Sequence, residues 1–302
     1  METEIAILNG EIIPAAELHV RPQDMGFMLG VTVAEQLRTF HGELFEVAAH
    51  KQRLARSLEI LGVEVDLDDL LQAGQRVVEH NFKLVNPRLD LGLTLFVTPG
   101  LYPTYRATGD DGPTIGVHSY PLPFALWREK YEHGQACEIV DVPQVSQACW
   151  PRELKCRSRM HYYLADKQAS QRNADARAIL LDDDGCINEA STANVVAYFS
   201  DEGLVSPQCE HILPGISLGF VKQLARRLEI PFSYRPLTPE ELLSADEVLF
   251  TSTPYCLLPV SRVGERVYTG RTCFRNLLNA WNNSVGLNIE VQAKVSVEVD
   301  GC

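Results

Sequence analysis

Residues 151–160 read Pro151-Arg152-Glu153-Leu154-Lys155-Cys156-Arg157-Ser158-Arg159-Met160, and further along the chain comes Ile187-Asn188-Glu189-Ala190-Ser191-Thr192-Ala193-Asn194. A lysine amine is a nucleophile only after losing its proton, which in water at neutral pH it rarely does. Burial lowers its pKa, and nearby cations push the same way. Arg152, Arg157 and Arg159 crowd Lys155 in sequence. Residues 148–154 mix apolar and β-prone types, and a helix-like run over 160–169 follows. Lys155 is therefore expected at the end of a strand and the start of a helix, as an imine-forming lysine. A solvated lysine in a basic loop has the same local sequence, so the rest of the chain must decide.

Composition narrows the classes. With 302 residues, 45% hydrophobic and 22% charged, the chain has globular composition and enough length for two domains. A formal net charge of −13 argues against a nucleic-acid surface and against anionic membrane. No apolar run reaches membrane-spanning length, and the acidic start Met1-Glu2-Thr3-Glu4 lacks a signal-peptide pattern. The 8 cysteines form no Cys-x-x-Cys and none precedes Cys137, which fits reduced thiols in a cytoplasm. The 8 histidines show no metal-ligand spacing, so no metal site is expected.

Patterning along the chain predicts a hairpin over 4–20 around Asn9-Gly10, and a glycine-bearing loop from Asp24 into a strand at 31–40. Amphipathic helices are expected at 49–61 and 67–83, and a strand at 89–98. His50 and Arg53, three apart, share one face of the first helix and offer a fixed cation. A proline-punctuated link follows residue 113. The expected division is a small α/β domain at 1–120, a linker at 121–135 and a larger mixed-sheet domain at 136–302, an α/β (α+β) architecture. In the second part, Leu213-Pro214-Gly215-Ile216-Ser217 opens a helix whose stripe includes Phe220, Leu224 and Leu228. Amides at such a helix start can hold a phosphate. Thr238-Pro239-Glu240-Glu241 reads as a capping box, Thr251-Ser252-Thr253 ends a short strand, and a helix over 273–285 precedes a β-prone tail.

Taken in order, the His50/Arg53 pair, Lys155, Glu189 with Asn194, Leu213–Ser217, the Thr251-Ser252-Thr253 run and Leu258-Pro259-Val260 resemble the class IV aminotransferases, the fold-type IV pyridoxal-phosphate enzymes. That group includes branched-chain and D-amino-acid aminotransferases and aminodeoxychorismate lyases. The resemblance implies that Lys155 binds pyridoxal 5′-phosphate as an imine and then moves the substrate proton, while Glu189 keeps the ring nitrogen protonated. It implies phosphate contacts from Arg53, from Gly215, Ile216 and Ser217, and from Ser252 and Thr253, with Asn194 beside Glu189. It also implies an aminotransferase acting on an amino acid and a 2-oxo acid, active as a homodimer. A pyruvate-releasing lyase and a non-catalytic cofactor-binding homologue are the alternatives.

Substrate recognition departs from the family pattern. Phe27 is kept in the loop at 24–35, but Leu29 and Ala34 stand where larger rings are common, and Pro99 stands where relatives can carry an arginine. A substrate carboxylate still calls for a guanidinium. The candidates are Arg38, Arg157, Arg159 and Arg106, in that order.

Overall fold

The computed structural model describes residues 3–86, 88–107 and 112–295. The chain groups into two compact units, the first comprising 1–122, 145–161 and 210–216, the second 123–144, 162–209 and 217–302. A single cut near 120 therefore does not reproduce the division. The lysine segment groups with the first unit because its backbone is hydrogen-bonded there: Ala34 N–H donates to Lys155 O (3.1 Å) and Arg157 N–H to Thr32 O (2.8 Å). Residues 123–144, which span most of the expected linker, group with the second unit and hold a 3-10 turn, a helix and a strand.

In the first unit, β1 (Ile5–Leu8) and β2 (Glu11–Pro14) flank Asn9 and Gly10 at φ 51° and 86°, the left-handed pair a type I′ hairpin needs. A short helix α1 (Met25–Met28), capped by Asp24, precedes β3 (Val33–Phe40). The return strand β4 is only Glu43–Leu44, because Glu46 turns left-handed and starts α2 (Val47–Leu61). Helix α3 (Leu67–Asn81) is capped by Asp66, which accepts from Asp68 N and Asp69 N. Strands β5 (Leu91–Thr98) and β6 (Thr114–Pro121) complete an antiparallel sheet in the order β2-β1-β6-β5-β3-β4. Strand alternation sends Val33, Leu37, Leu93, Leu95 and Val97 into one core with Leu54 and Leu58 of α2 and Leu70, Val77 and Val78 of α3. Burying each such side chain contributes roughly 1.5–3 kcal/mol, so packing, more than propensity, fixes the two helices.

The second unit starts with α4 (Lys130–His133) and β7 (Gln135–Ile139). Helix α5 (Met160–Arg172), whose first two residues group with the first unit, leads to β8 (Arg177–Leu181), β9 (Ile187–Ala190), β10 (Ala193–Phe199) and β11 (Gly203–Ser206). Next come α6 (Ile216–Arg227), β12 (Phe232–Tyr234), α7 (Pro239–Ser244), β13 (Glu247–Ser252), β14 (Cys256–Val263) and β15 (Arg266–Val267). Pairing runs β10-β13-β14-β7-β8-β9 and closes on itself through β9–β10, with β11 and β12 extending outward from β10. The β9–β10 pairing closes the ring and so pairs strand ends that would otherwise form an edge. Strand β7 runs parallel to β8 and β14 while the remaining ring contacts are antiparallel, the mixed sheet expected from the sequence.

Local departures have physical causes. No strand leads directly into Lys155: residues 151–154 are turn and coil, and Cys156 makes only an isolated bridge to Val33. Pro151, which has no N–H to donate, opens that stretch. Leu228 lies just past α6 and is 38% exposed, while Val221 and Ser217 join Phe220 and Leu224 on the buried side. After helix α8 (Thr272–Val285), part of the β-prone tail folds as α9 (Ile289–Ala293), capped by Asn288; the rest, from 296, lies outside the described residues.

Candidate active site

Helix α2 organises the candidate site residues of the first unit. Its buried residues, His50, Arg53, Leu54, Ser57 and Leu58, follow helical spacing. Leu54 and Leu58 supply the core; the polar three meet β3 and the lysine segment. Glu35 of β3, paired with Leu95 of β5, occupies a core position and is 1% exposed. A carboxylate there requires partners, and α2 provides them. Arg53 Nε donates to Glu35 Oε1 (2.8 Å) and its Nη2 to Oε2 (2.7 Å), while Nη1 donates to Pro214 O (2.8 Å), two residues before α6. His50 Nδ1 lies 2.7 Å from Glu35 Oε2. Burial alone would raise the Glu35 pKa, but the charge and hydrogen bonds of Arg53, with those of His50, hold it well below the carboxylate range.

Ser57 Oγ accepts from Lys155 N–H at 3.2 Å, so the same helix face that carries Arg53 holds the lysine backbone. Lys155 is partly buried. Burial, then the charge of Arg53, presses its ammonium down to about 7; Glu35 opposes the shift and Arg159 and Arg157 add to it. A substantial share of the amine is therefore unprotonated at neutral pH. Burial together with Arg152 and Arg159 likewise presses the His161 imidazole down to about 4.

In the second unit, Glu189 of β9 pairs with Asn194 of β10, which pairs with Thr251 of β13. Opposed residues share a face, so these three polar side chains stand in a row, each at most 5% exposed. The Tyr162 hydroxyl donates to Glu189 Oε2 at 3.2 Å. Among the described residues the Thr251 hydroxyl has no hydrogen-bond partner. Ser252 Oγ donates to Thr192 O (3.1 Å), and Thr253 begins the turn after β13.

Over residues 32–263 the chain matches the amino-transferase class IV profile. The chain belongs to the class IV aminotransferases. Pyridoxal phosphate is accordingly its cofactor and amino transfer its reaction. This class IV aminotransferase is 28% identical to the D-alanine aminotransferase of Bacillus licheniformis over 285 residues, covering 92% of this chain and 96% of that one. It is 29% identical to the D-alanine aminotransferase of Staphylococcus epidermidis over 273 residues, covering 87% and 91%. Among solved structures, the branched-chain amino acid aminotransferase of Escherichia coli shares the fold with a TM-score of 0.83 at 21% identity, over 99% of this chain and 98% of that one. That of Thermoproteus uzoniensis, solved with norvaline, gives 0.82 at 23% identity, over 94% and 96%.

The groups present in this class IV aminotransferase fit its cofactor. The buried Thr251 hydroxyl lacks a partner among the described residues, and the first amides of α6, at Ile216 and Ser217, have no intrahelical acceptors. Gly215 precedes them directly. An amine near neutrality, a guanidinium and open helix amides match the aldehyde and phosphate of pyridoxal phosphate.

The substrate-binding candidates divide. Arg38 is 1% exposed, lies 4.0 Å over the Phe40 ring and 3.9 Å from Asp90, so it already has a carboxylate. Arg106 donates to Leu101 O (2.7 Å). Arg157 and Arg159 have no carboxylate in ion-pair range among the described residues, and burial, then Arg159, presses Arg157 down to about 10, still charged at neutral pH. Phe27, on α1, is 75% exposed. Glu35, Ser57 and Tyr162 are absent from the sequence-derived site, and Thr251 enters it only within the Thr251-Ser252-Thr253 run. Glu35 alone carried a readable signal, a carboxylate in step with Val33 and Leu37 on the buried face of a strand. Among the described residues no cluster suits a metal ion, and no helix is long and apolar enough to cross a membrane.

Proposed function

We propose that this chain transfers an amino group between an amino acid and a 2-oxo acid, with Lys155 as the residue that holds the cofactor and then moves the substrate proton. The observation that carries the assignment is the Lys155 amine, pressed to about 7 beside Arg53. Bound there, pyridoxal phosphate supplies an electron sink for the bond broken at the substrate Cα. Lys155 Nζ, once released, takes that proton and returns it, a task best suited to a pKa near the working pH. Glu189, backed by Asn194, keeps a proton on the cofactor's ring nitrogen. Arg53, the Ile216 and Ser217 amides beside Gly215, and the Ser252 and Thr253 hydroxyls hold the phosphate. Arg157, with Arg159, receives the substrate carboxylate in preference to Arg38, and Phe27 borders the substrate.

We read the first unit as the small domain and the second as the large cofactor-binding one, in a cytoplasmic homodimer. The test is a donor-by-acceptor screen of L- and D-amino acids against 2-oxo acids, with Lys155→Ala and Glu189→Ala beside the native chain. Turnover lost in Lys155→Ala, and much reduced in Glu189→Ala with cofactor retained, supports the assignment. Release of pyruvate without any amino acid product would instead favour the lyase.

A further inference from the structure

We propose that Glu35 is a positioning residue for this reaction: it aims the Arg53 guanidinium, fixes which His50 nitrogen carries the proton, and sets a negative charge against Arg53 beside the Lys155 amine. The inference rests on the reading of Lys155 and Arg53 as cofactor-holding residues. Its geometric basis is independent of that reading.

Glu35 occupies a position that strand alternation assigns to the core, between Val33 and Leu37. An apolar residue there would be the ordinary choice, and a buried charge is costly unless paired. The carboxylate is fully engaged. Both oxygens accept from Arg53, at 2.8 and 2.7 Å, and Oε2 also faces His50 Nδ1 at 2.7 Å. A two-point guanidinium–carboxylate pair fixes the guanidinium plane as well as its place. The third nitrogen, Nη1, is thereby set toward Pro214 O, 2.8 Å away, in the segment that leads into α6.

The same carboxylate decides the state of His50. An ionised carboxylate only accepts, so Nδ1 carries the hydrogen. Burial is the largest influence and lowers the His50 pKa; Glu35 raises it, Arg53 and Lys155 lower it, and the net shift is downward, so the ring is neutral at neutral pH. Nε2 is then a bare acceptor. It is buried and has no partner among the described residues.

Lys155 feels three arginines and one carboxylate. Arg53 of α2 and Arg157 and Arg159 of its own segment all oppose a positive charge on Nζ; among the largest influences, Glu35 of β3 is the one that favours it. His50, being neutral, contributes no opposing charge. Without Glu35, Arg53 would act on the lysine nitrogen uncompensated. That nitrogen would then hold its proton too weakly to return it to the substrate.

The experiment follows the Lys155 nitrogen by pH titration of the visible absorbance of the cofactor-loaded protein, for the native chain, Glu35→Gln and Glu35→Asp. Folding is checked by circular dichroism. Glu35→Gln, which keeps an acceptor for His50 but loses the charge, is expected to lower the midpoint by about one pH unit, a tenfold loss of proton affinity. Glu35→Asp keeps the charge and is expected to stay nearer the native value than to that of Glu35→Gln. Equal midpoints for the native chain and Glu35→Gln, both loaded and folded, overturn the proposal. A native chain that takes up no cofactor on Lys155 defeats the underlying assignment instead.

Nitrogen NMR of His50 in the native chain needs no variant. A proton on Nδ1 at neutral pH is expected, and a proton on Nε2 overturns the role given to Glu35.

Discussion

The Tyr162 hydroxyl donates to Glu189 Oε2 at 3.2 Å and itself accepts from Gln144 Nε2 at 3.2 Å. Gln144 also donates to Asn188 Oδ1 (3.3 Å), so the carboxylate assigned to the ring nitrogen is oriented by a donor chain. A hydrogen bond of this kind contributes about 1 kcal/mol, more when one partner is charged. Tyr162→Phe is therefore expected to lower kcat roughly 5–10-fold while leaving bound cofactor unchanged, since Tyr162 is not among the groups proposed to hold the phosphate. Absorbance of the purified variant and steady-state kinetics decide it. An unchanged kcat would leave the contact without a catalytic role.

Arg38 and Arg157 should respond differently to the same substitution. Arg38 is buried against Asp90, whose Oδ1 also accepts from the Thr39 hydroxyl (2.7 Å) and Gly42 N–H (3.1 Å). Arg38→Gln leaves that carboxylate short of its cation in the interior, at a cost of about 3–5 kcal/mol in stability. Arg157→Gln removes a cation with no carboxylate partner among the described residues, so its stability cost is small and its effect falls on KM, raised about 10–100-fold for the 2-oxo acid. Thermal melts and KM values for both variants separate the roles. A KM defect in Arg38→Gln without loss of stability would return the carboxylate to Arg38.

Much of this was legible in the sequence where the cause is local. The Asn9-Gly10 turn, the Asp66 start of α3 and the Thr238 capping box depend on residues within a few positions of one another. The stripe of α2 shows in the spacing of its leucines, and Arg53 in its spacing to His50. What could not be read is set by distant partners. Glu35 acquires its role from residues 15 and 18 positions away on a helix packed across its strand. Residues 148–154 look β-prone, yet in the fold Cys156 makes just an isolated bridge to Val33, Lys155 O accepts from Ala34 N–H, and Ser57, 98 positions away, holds the lysine N–H. The grouping of 145–161 with the first unit follows from the same long-range bonds.

Stability of the cofactor-free chain should rise with pH because of Lys155. Its ordinary pKa is 10.5 and its folded value about 7. Below pH 7 both states carry the proton, and folding bears the full cost of enclosing a charge. Between these values the unfolded chain binds a proton that the folded chain does not, so stability increases with pH; above 10.5 both are neutral and the penalty is gone. Lys155→Met is expected to flatten this part of the profile and to be more stable than the native apoprotein at pH 7. Urea midpoints from about pH 7 to 10.5, the window these two values define, check it. Parallel profiles for the two chains would mean that the lysine keeps its ordinary pKa.

The N-terminus of α7 offers a test in the second unit that is free of catalysis. Thr238 Oγ1 accepts from Glu241 N–H (3.2 Å), Glu241 Oε2 accepts from Thr238 N–H (2.8 Å), and Pro239 sets the first helical φ. Losing such a cap costs about 1 kcal/mol. Glu241 Oε1 also accepts from Arg235 Nη1 at 2.9 Å, and Arg235 is further held by Glu202 at 2.9 and 2.8 Å, so the cap ties α7 to the start of β11. Thr238→Ala is expected to lower Tm by about 2–4 °C at unchanged kcat. Because the two bonds are reciprocal, Thr238→Ala combined with Glu241→Ala should cost less than the sum of the single changes, by about 0.5 kcal/mol or more. Strict additivity in that cycle would show that the two side chains act independently despite their geometry.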